Sequence, residues 1–597
     1  MRNQTLLCAV VVATGVGRPA WADFGAPQIT HLLRPSESDL ALVEGTPARL
    51  ARNDQAQPGA EMSHLAFFGD GTETSPNSSG LYFEMRSGEL NGNLPINTMQ
   101  LAMVPFHLAQ NPDGSVAAVG DMAGAKFVTS NLGSETRNAN NPSAYSIAGG
   151  NAICAEYNYQ PVVGLGDTQR FMQCFNRAGA TIMPQTPIYA KLGDDCSMNQ
   201  DTSSTYVVRT SGNVTKLIAW RGCNGSAEDA GWMTAFTVTV DNAANPTTAK
   251  FAQQMDVALC QEEERSRGYC TASAADPNTA ICSWTEGNTQ PQRDGTWLAA
   301  VDITDTTTGV DRQDAILWKR QIDGVKGEAE LRTYSMRAMH TRVMTPGTTP
   351  GRLDASDLII WRSGDVHSSD VRDGGKGGTY LGNQMAVIKV GRTDMTYVVP
   401  LTNMQNTLIG LDGAHLGMGA ALFGTSGKLT PGVTFIGGSP IGGGHAAKVR
   451  AVGWDQAASK FTDLGTYAIA PYDHHLYSNY LGNNPGSQGR NFSGAVMIPN
   501  PFFRKNDNLD EYLSVITTTG KDPSEISRPE LKLSSYITVF PTVHTPAGTG
   551  SGSGSDSDQD DTGGDVLGGC GGCDTNGATP AALLVILLPF IRRRRRR

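Results

Sequence analysis

The densest cluster of side chains that could carry chemistry lies at Asp473, His474 and His475, between Tyr472 and Tyr477. Imidazole and carboxylate groups ligate divalent metals and act as general acids and bases. Adjacent residues of a strand point to opposite faces, so the two histidines can share one metal only from a loop. The cluster is therefore a candidate for metal binding or acid/base catalysis, with an ordinary surface loop as the alternative.

A second candidate is a group of aspartates, Asp365, Asp370 and Asp373, that precedes Gly374. Carboxylates and loop carbonyls are the ligands that calcium takes, and extracellular calcium sites can be weak yet occupied. The spacing matches no standard calcium motif, so solvated turn residues are the alternative. Ca²⁺ is the one cofactor that the sequence suggests, and no catalytic residue is assigned because H-E-x-x-H, G-x-S-x-G, P-loop and G-x-G-x-x-G signatures are absent.

Cysteines in one third of the chain are disulfide candidates if the protein is exported. They are Cys154, Cys174, Cys196, Cys223, Cys260, Cys270 and Cys282. We expect Cys154 to pair with Cys174, Cys196 to pair with Cys223, and one pair to form among the last three. The remaining cysteine is expected to be buried and inert rather than reactive.

Both ends of the chain carry export signals. Arg2, an apolar run over 6–16 and the Ala20-Trp21-Ala22 cleavage pattern indicate a signal peptide over residues 1–22. At the other end an apolar stretch, 578–591, would span roughly 21 Å as a helix, against a hydrocarbon core of about 30 Å. This short length favours a transient membrane span that is removed by processing, with a weak permanent anchor as the alternative.

Two cysteines precede this apolar stretch, and a block of arginines follows it. Cys570 and Cys573 stand in a glycine run before it, and six arginines follow it: Arg592, Arg593, Arg594, Arg595, Arg596 and Arg597. Arginines remain on the cytoplasmic side of the inner membrane and so stop translocation. A C-x-x-C spacing could also suggest zinc or redox chemistry, but a second ligand pair or a βαβ setting is missing.

The order of glycine-flanked cysteines, short apolar helix and arginine block over about residues 568–597 resembles the myxobacterial sorting tail called MYXO-CTERM. The resemblance implies that the sorting tail, residues 570–597, is processed by a sortase-like protease in the membrane. It also implies display on the cell surface, with Cys570 or Cys573 carrying a lipid anchor. The preceding Gly/Ser/Asp-rich segment, 544–569, has the composition of a flexible acidic linker.

The overall charge excludes one class of partner. The formal net charge is −10, and the six tail arginines with Arg2 and Arg18 supply eight positive charges, so the processed body carries about −18. Nucleic-acid binding needs a basic surface that neutralises phosphates. No nucleic acid is therefore expected as a partner.

The sequence predicts an all-β body. The chain contains 69 glycines, has a low fraction of charged residues and little helical periodicity, and carries many short apolar runs. A repeated pattern consists of an apolar strand ending in an aromatic residue, a polar loop and a second apolar strand. The aromatic residues Tyr157, Trp220 and Trp284 are separated by 63 and 64 residues, and Trp361 continues the series. Most such aromatics are expected to pack between repeats rather than to bind a ligand.

A repeat of this length, with several strands per unit, is typical of sheets arranged radially. The sequence therefore predicts a seven-bladed β-propeller over residues 61–543, preceded by an irregular segment over 23–60. Two β-sandwich domains are the alternative. A flexible stalk and a short transmembrane tail complete the predicted organisation.

The predicted sorting signals and the predicted β-propeller together favour an exported, surface-anchored binding or adhesion protein on the outer membrane. A surface hydrolase of polysaccharide or another polymer is the first alternative, and a structural envelope protein is the second. The expected partners are the processing protease, the membrane through the tail, and an extracellular polysaccharide or cell-surface ligand.

Overall fold

The computed structural model describes the strands and many of the turns of the body. The described residues are 28–33, 39–42, 47–50, 60–90, 99–128, 137–160, 169–188, 197–198, 204–224, 231–260, 267–272, 276–286, 295–321, 339–343, 357–366, 379–403, 420–423, 432–437, 448–455, 460–468, 492–503, 509–521 and 533–543. They lie in the first of two units, Met1–Ala547; the second, Gly548–Arg597, is outside the described residues.

These residues form seven four-stranded antiparallel blades in chain order. Blade 1 contains β4 (Ala60–Phe68), β5 (Ser79–Leu90), β6 (Met99–Gln110) and β7 (Val116–Gly120). Blade 2 contains β9 (Arg137–Ile147), β10 (Ala152–Gln160), β11 (Gln169–Asn176) and β12 (Thr181–Pro187). Blade 3 contains β14 (Ser204–Ser211), β15 (Val214–Asn224), β16 (Gly231–Val240) and β17 (Ala249–Cys260). Blade 4 contains β18 (Arg267–Ala272), β19 (Thr279–Glu286), β20 (Gly295–Asp302) and β21 (Ile316–Gln321).

The remaining blades repeat this order. Blade 5 contains β22 (Met339–Val343), β23 (Asp357–Val366), β24 (Thr379–Val390) and β25 (Met395–Asn403). Blade 6 contains β26 (Ala420–Phe423), β27 (Gly432–Gly437), β28 (Lys448–Asp455) and β29 (Lys460–Ala468). Blade 7 contains β30 (Phe492–Pro499), β31 (Leu509–Lys521), β32 (Leu533–Val543) and β1 (Gln28–Leu33). Short strands β2 (Asp39–Leu42), β3 (Pro47–Leu50), β8 (Lys126–Phe127) and β13 (Ser197–Met198) extend blades 1 and 3.

The blades close into a ring, which confirms the predicted β-propeller and rules out two β-sandwich domains. The first strands of successive blades contact one another in order, and β30 of blade 7 returns to β4 of blade 1. A short parallel pairing joins them, with Phe492 opposite Met62 and Ser493 opposite Ser63. Closure matters physically because each blade buries both sheet faces only against its neighbours.

The last blade is completed by the N-terminal strand. β1 pairs antiparallel with β32, with Gln28 opposite Val539 and Thr30 opposite Ile537. The expectation that 23–60 is irregular is therefore wrong over β1, and also over the hairpin formed by β2 and β3. Local composition could not reveal β1, because its pairing partner β32 lies at the other end of the body.

Two faces of the ring follow from the alternating strand directions. Turns that join the first strand of a blade to the second, and the third to the fourth, lie at one end, which we call the lower face. Connections between the second and third strands, and those between blades, lie at the other end, the upper face. The hairpin of β2 and β3 belongs to the upper face, because β3 pairs with the end of β5 and β2 pairs with β8.

Both faces of each described sheet in blades 1–4 are packed, which explains the continuous apolar runs in the sequence. In β15, Leu217 and Ala219 pack against blade 2, whereas Ile218 and Trp220 pack against blade 4. All four side chains are fully buried. The spaces between blades, called seams below, therefore hold the hydrophobic core.

The repeated aromatics lie in these seams, as expected for Trp220 and Trp284. Their rings stack with centroids 5.6 Å apart across the seam of blades 3 and 4. They face each other because Trp220 is the seventh residue of β15, whereas Trp284 is the sixth of β19. Since strand side chains alternate, this one-residue offset turns equivalent aromatics toward opposite neighbours.

Candidate functional site

Turns of the lower face are closed by their own polar side chains. The Asp241 carboxylate accepts hydrogen bonds from the backbone N–H groups of Thr247 and Thr248, at 2.9 Å each. Asp113 accepts bonds from the N–H and hydroxyl of Ser115 in the corresponding turn of blade 1. These carboxylates are hydrogen-bonded within their own turns, and they stabilise the turn conformation.

The same lower-face aspartates have lowered pKa values. Hydrogen bonds from the Thr247 side chain, and then from the backbone, lower the pKa of Asp241 well below its ordinary value. The hydroxyl of Ser115 is the main cause that lowers the pKa of Asp113. Both carboxylates therefore stay ionised in mildly acidic solution.

Ion pairs of the lower face join neighbouring blades. Lys216 of blade 3 bonds the carbonyl of Ile303 and lies 3.3 Å from the Asp305 carboxylate, both in blade 4, while Arg209 pairs with the same carboxylate. Burial lowers the pKa of the Lys216 ammonium, and the Asp305 carboxylate partly opposes this effect. Arg392 of blade 5 reaches back to the Asp302 carboxylate in the same way.

The long turn of blade 4 also covers the outer edge of blade 3. Gly309 donates its backbone N–H to Gln254 O at 3.0 Å, and Arg312 donates its N–H to Asp256 O at 2.8 Å. Gly309 has φ +124°, a backbone conformation open to glycine. An exposed strand edge invites pairing with other chains, so this turn protects the edge of β17.

Buried charges, by contrast, lie in the upper half of the seam between blades 2 and 3. Glu156 and Arg170 both have fully buried side chains, with Arg170 Nε 3.2 Å from Glu156 Oε2. Tyr145 Oη donates a hydrogen bond to Glu156 Oε1, and Thr205 Oγ1 donates one to Oε2 at 2.8 Å. We call these four residues the Glu156 cluster; Thr205 belongs to the first strand of blade 3, so the cluster spans the seam.

A second group faces it from blade 3. Asp256 Oδ1 accepts bonds from Thr234 Oγ1 at 2.6 Å and from Gln253 Nε2 at 3.0 Å. Its Oδ2 lies 3.6 Å from Arg221 Nη2 and accepts no hydrogen bond from the described residues. The Arg221 guanidinium lies 5.6 Å from the centre of the Trp232 ring. These five residues form the Asp256 cluster, which combines a carboxylate, a guanidinium and an indole.

Sequence reasoning missed both clusters. Each charge interrupts an apolar run, as in AICAEYNYQ of β10 and AKFAQQMDVALC of β17. A single charge within an otherwise apolar strand is the available signal, because an ionised side chain is buried only when it has a partner. The partner itself could not be read from the sequence, since it depends on the strand register.

One of the candidates for metal binding, Asp365, lies within the described residues. Asp365 lies in β23, opposite Tyr380 and close to the upper end of that strand. Asp370 and Asp373 belong to the connection from β23 to β24, whereas Asp473, His474 and His475 belong to the connection from β29 to β30. The last five residues lie outside the described residues, so their mutual geometry stays a prediction.

Within the described residues, no group of three or more His, Cys, Asp or Glu side chains is placed to hold a metal ion. The aspartates of the lower-face turn of blade 4 are already engaged. Asp314 is paired with Arg312 at 2.7 Å, and Asp302 with Arg392. The calcium hypothesis therefore depends on Asp365, Asp370 and Asp373.

Two disulfides are present among the described cysteines. Cys154 pairs with Cys174 between β10 and β11, the pairing expected from the sequence, and Cys270 pairs with Cys282 between β18 and β19. Cys260 is buried and stands outside both bonds. Cys196 lies outside the described residues, so its bond with Cys223 stays a prediction. Disulfides persist in oxidising compartments, which indicates an extracellular protein.

The predictions for the tail and the signal peptide concern residues that the structure does not describe. Cys570, Cys573 and the arginines 592–597 lie outside the described residues, as does the signal peptide. In the part of the chain that the structure describes, no helix is long and apolar enough to cross a membrane.

Comparison with known proteins gives similarity only among solved structures. No family model and no curated protein matches the sequence. An α-L-arabinofuranosidase from Fusarium graminearum is 10% identical, with a TM-score of 0.31 over 84% of this chain and 98% of that one. A neuraminidase-like protein of A/flat-faced bat/Peru is 10% identical, with a TM-score of 0.33 over 88% and 96%. The NanB sialidase from Streptococcus pneumoniae is 10% identical, with a TM-score of 0.33 over 82% and 69%. The propeller assignment rests on the strand pairing above, not on these similarities.

Proposed function

We propose that the protein is an exported propeller, displayed on the outer membrane, that binds an extracellular polysaccharide at its upper face. One observation carries this proposal. The Glu156 and Asp256 clusters lie in the upper half of a seam, and Asp365 lies close to the upper end of β23. Lower-face polar groups are instead used in turns and inter-blade bonds.

The chemistry of the upper face suits a polyhydroxylated ligand. Sugar hydroxyls donate hydrogen bonds to carboxylates and accept them from guanidinium and imidazole groups. Loops carried by a rigid scaffold are the common position of binding residues. Both buried clusters reach the upper ends of their strands, because Arg170 is the second residue of β11 and Trp232 is the second residue of β16.

Display on the cell surface is part of the proposal. It is supported by the disulfides and by the sequence of the tail, where Cys570 or Cys573 would carry the anchor after sortase-like processing. Replacement of both cysteines by serine should release the protein into the medium. A double variant that is still retained on cells would contradict the anchoring part of the proposal.

Hydrolysis of the bound polymer is a second candidate function, favoured by the Glu156 cluster. A carboxylate bonded to a tyrosine hydroxyl and an arginine is a combination that can hold or move a proton. Glu156 is fully buried, so a catalytic role would require substrate to reach Tyr145 or Thr205, which border it. Product release that is abolished by Glu156→Gln in a folded variant would support this candidate.

The test uses residues 23–545, which include all seven blades. The purified body is mixed with a panel of extracellular polysaccharides and with intact cells, with calcium or with EDTA, and bound protein and released sugar are recorded together. Binding without release supports recognition, and release supports hydrolysis. Absence of both, together with loss of envelope integrity in a deletion strain, would replace the proposal with a structural role.

The comparison of binding with calcium and with EDTA also tests the proposed calcium ligands Asp370 and Asp373. If binding requires calcium, Asp370→Asn and Asp373→Asn should each reduce it, whereas Asp113→Asn on the lower face should leave it unchanged. An equal loss in all three variants would assign the effect to folding.

A further inference from the structure

A histidine side chain connects the first strands of blades 1 and 2. His64 is the fifth residue of β4, and its Nδ1 accepts a hydrogen bond of 3.2 Å from the backbone N–H of Ala144 in β9. Among the described strands β9 pairs only with β10, so a backbone N–H on its inner edge needs a partner from outside its own sheet. The imidazole supplies that partner for Ala144.

A second contact of the same nitrogen depends on the protonation state of the ring. His64 Nδ1 also lies 3.1 Å from the carbonyl oxygen of Leu65. A backbone N–H only donates and a carbonyl only accepts, so Nδ1 bonds Ala144 through its lone pair or Leu65 through a proton, but never both at once. The bond to Ala144 therefore requires a neutral ring with its proton on Nε2. A proton added to Nδ1 moves the bond to Leu65 O and takes the acceptor away from Ala144.

His64 faces the seam between blades 1 and 2. Leu65 packs with side chains of blade 7, whereas Ala66 packs with side chains of blade 2. Side chains alternate along a strand, so His64 points to the same side as Ala66. The residue is only partly buried, so a proton can reach the ring from solvent.

Among the side chains that the structure describes, the seam offers a charged imidazole no nearby carboxylate. The titratable side chains that border the seam there are Tyr157, Lys126, Arg177 and Asp70. Asp70 lies in the exposed turn, roughly 20 Å of extended chain beyond His64. Glu84 of the neighbouring strand β5 points to the opposite face, where it accepts a hydrogen bond from Tyr82. Protonation would therefore place a charge in a seam that does not compensate it.

We propose that His64 is a pH-operated latch between blades 1 and 2, in which the neutral ring holds the two first strands together through Ala144 and protonation releases them. An imidazole ordinarily takes up a proton between about pH 5 and pH 8, so the latch works in this range. The bond is present when the ring is neutral and is lost as the pH falls. This inference is independent of the ligand proposed above.

The latch is selective because the other bonds between these blades do not respond to mild acid. Three such bonds join Gly69 N–H to Gly150 O, Lys126 Nζ to Gly179 O and Gln173 Nε2 to Val128 O. Backbone amides, an ammonium and a side-chain amide do not ordinarily titrate between about pH 5 and pH 8. Mild acid should therefore loosen the contact between the first strands while the rest of the seam stays closed.

The experiment measures hydrogen exchange at the amide of Ala144 in the full chain between about pH 8 and pH 5, corrected for the intrinsic pH dependence of exchange. His64→Gln is the matched variant, because its side-chain oxygen can accept the same bond but does not titrate. Protection at Ala144 should fall by about tenfold or more in the parent and stay nearly constant in the variant. Ala155, the partner of Ala144 in β10, should stay protected throughout.

Nitrogen-15 labelling of histidine gives a second measurement, and His64→Gln identifies the His64 signal by its disappearance. Nδ1 should be unprotonated at the alkaline end and should gain its proton with the same midpoint at which Ala144 loses protection. A protonated Nδ1 at the alkaline end, constant protection in the parent, or an equal loss in parent and variant would overturn the proposal. If the variant does not fold, the parent still decides, because two different midpoints would overturn it as well.

Discussion

Glu156 and Arg170 show how much a single side chain can depend on its partner. Both are fully buried, and the loss of one partner from a buried ion pair typically costs 3–5 kcal/mol because the other charge stays behind. Glu156→Leu should therefore lower the free energy of unfolding by about 3 kcal/mol or more, measured by denaturant titration.

The matched control replaces both charges. The double variant Glu156→Leu with Arg170→Met removes the stranded guanidinium, so it should recover most of the lost stability. A double variant as unstable as the single one would show that Tyr145 and Thr205, rather than the ion pair, hold this seam.

Gly150 is a second position where one residue type is required. Its φ is +87°, and an added Cβ would lie 2.2 Å from the backbone of Gly69 in the neighbouring blade. Gly212 has φ +57° with nothing within 4 Å of an added Cβ. Both alanine substitutions incur the cost of left-handed backbone, about 1–2 kcal/mol, but only Gly150→Ala also forces two blades apart.

The thermal midpoint of Gly150→Ala should therefore fall by several degrees more than that of Gly212→Ala, as measured by calorimetry. Equal midpoints would mean that the contact between the turns of blades 1 and 2 adjusts without strain.

At the scale of elements, the lower-face turns should make stability sensitive to acid. The folded pKa of Asp241 is below its ordinary value of 3.8, because the hydroxyl of Thr247 and backbone N–H groups bond the charged form. Its contribution is thus fully present above the unfolded pKa and is lost as the pH falls through the folded pKa. Asp241→Asn should be less stable than the parent at pH 7, and this difference should shrink steadily below about pH 4.

Thermal unfolding at a series of pH values tests this expectation, with Asp314→Asn as a comparison because its pKa is lowered by Arg312 instead. A difference between parent and Asp241→Asn that is constant with pH would assign the effect to packing of the turn.

The elements also show what the sequence could and could not predict. Apolar runs that end in Trp220 and Trp284 correctly indicated the second strands of blades 3 and 4, because these positions repeat at nearly constant spacing. In blade 1 a comparable pair of apolar runs, within residues 64–69 and 81–85, belongs to the first and second strands instead. The side of the sheet on which each aromatic lies depends on the exact start of the strand, which spacing alone does not specify.

For the candidate site, too, the sequence predicted some residues but not their arrangement. Loop residues such as Asp373 and His474 were visible because loops concentrate polar chemistry, but their three-dimensional arrangement requires the loop conformation. Buried charges such as Asp256 were missed because their partners come from other strands, through pairings such as that between Thr234 and Asp256.

For the whole molecule, the ring depends on a strand from the opposite end of the chain. Removal of residues 23–33 deletes β1 and leaves the outer edge of β32 without its antiparallel partner. We expect this deletion to reduce the thermal midpoint and to remove amide protection at residues 533–543, measured by hydrogen exchange. Residues 152–160 of blade 2 serve as an internal control, because their neighbours are unchanged.

A synthetic peptide of residues 23–33 should restore protection at residues 533–543 if pairing alone is responsible. Protection that is intact in the deletion variant would mean that the ring stays closed without β1.

The stacked indoles of Trp220, Trp284 and Trp297 give the protein an optical property of its own. The ring centroids are 5.6 and 6.4 Å apart, and the Lys319 ammonium lies 5.0 Å from the last ring. Chromophores this close share their excited states, so the seam between blades 3 and 4 should produce an exciton-coupled circular dichroism band. Separation of these two blades would remove Trp220 from the stack and leave only the Trp284–Trp297 pair of blade 4, so the band should change before the β-sheet signal disappears. The native tryptophans would then report, without a label, how the ring opens.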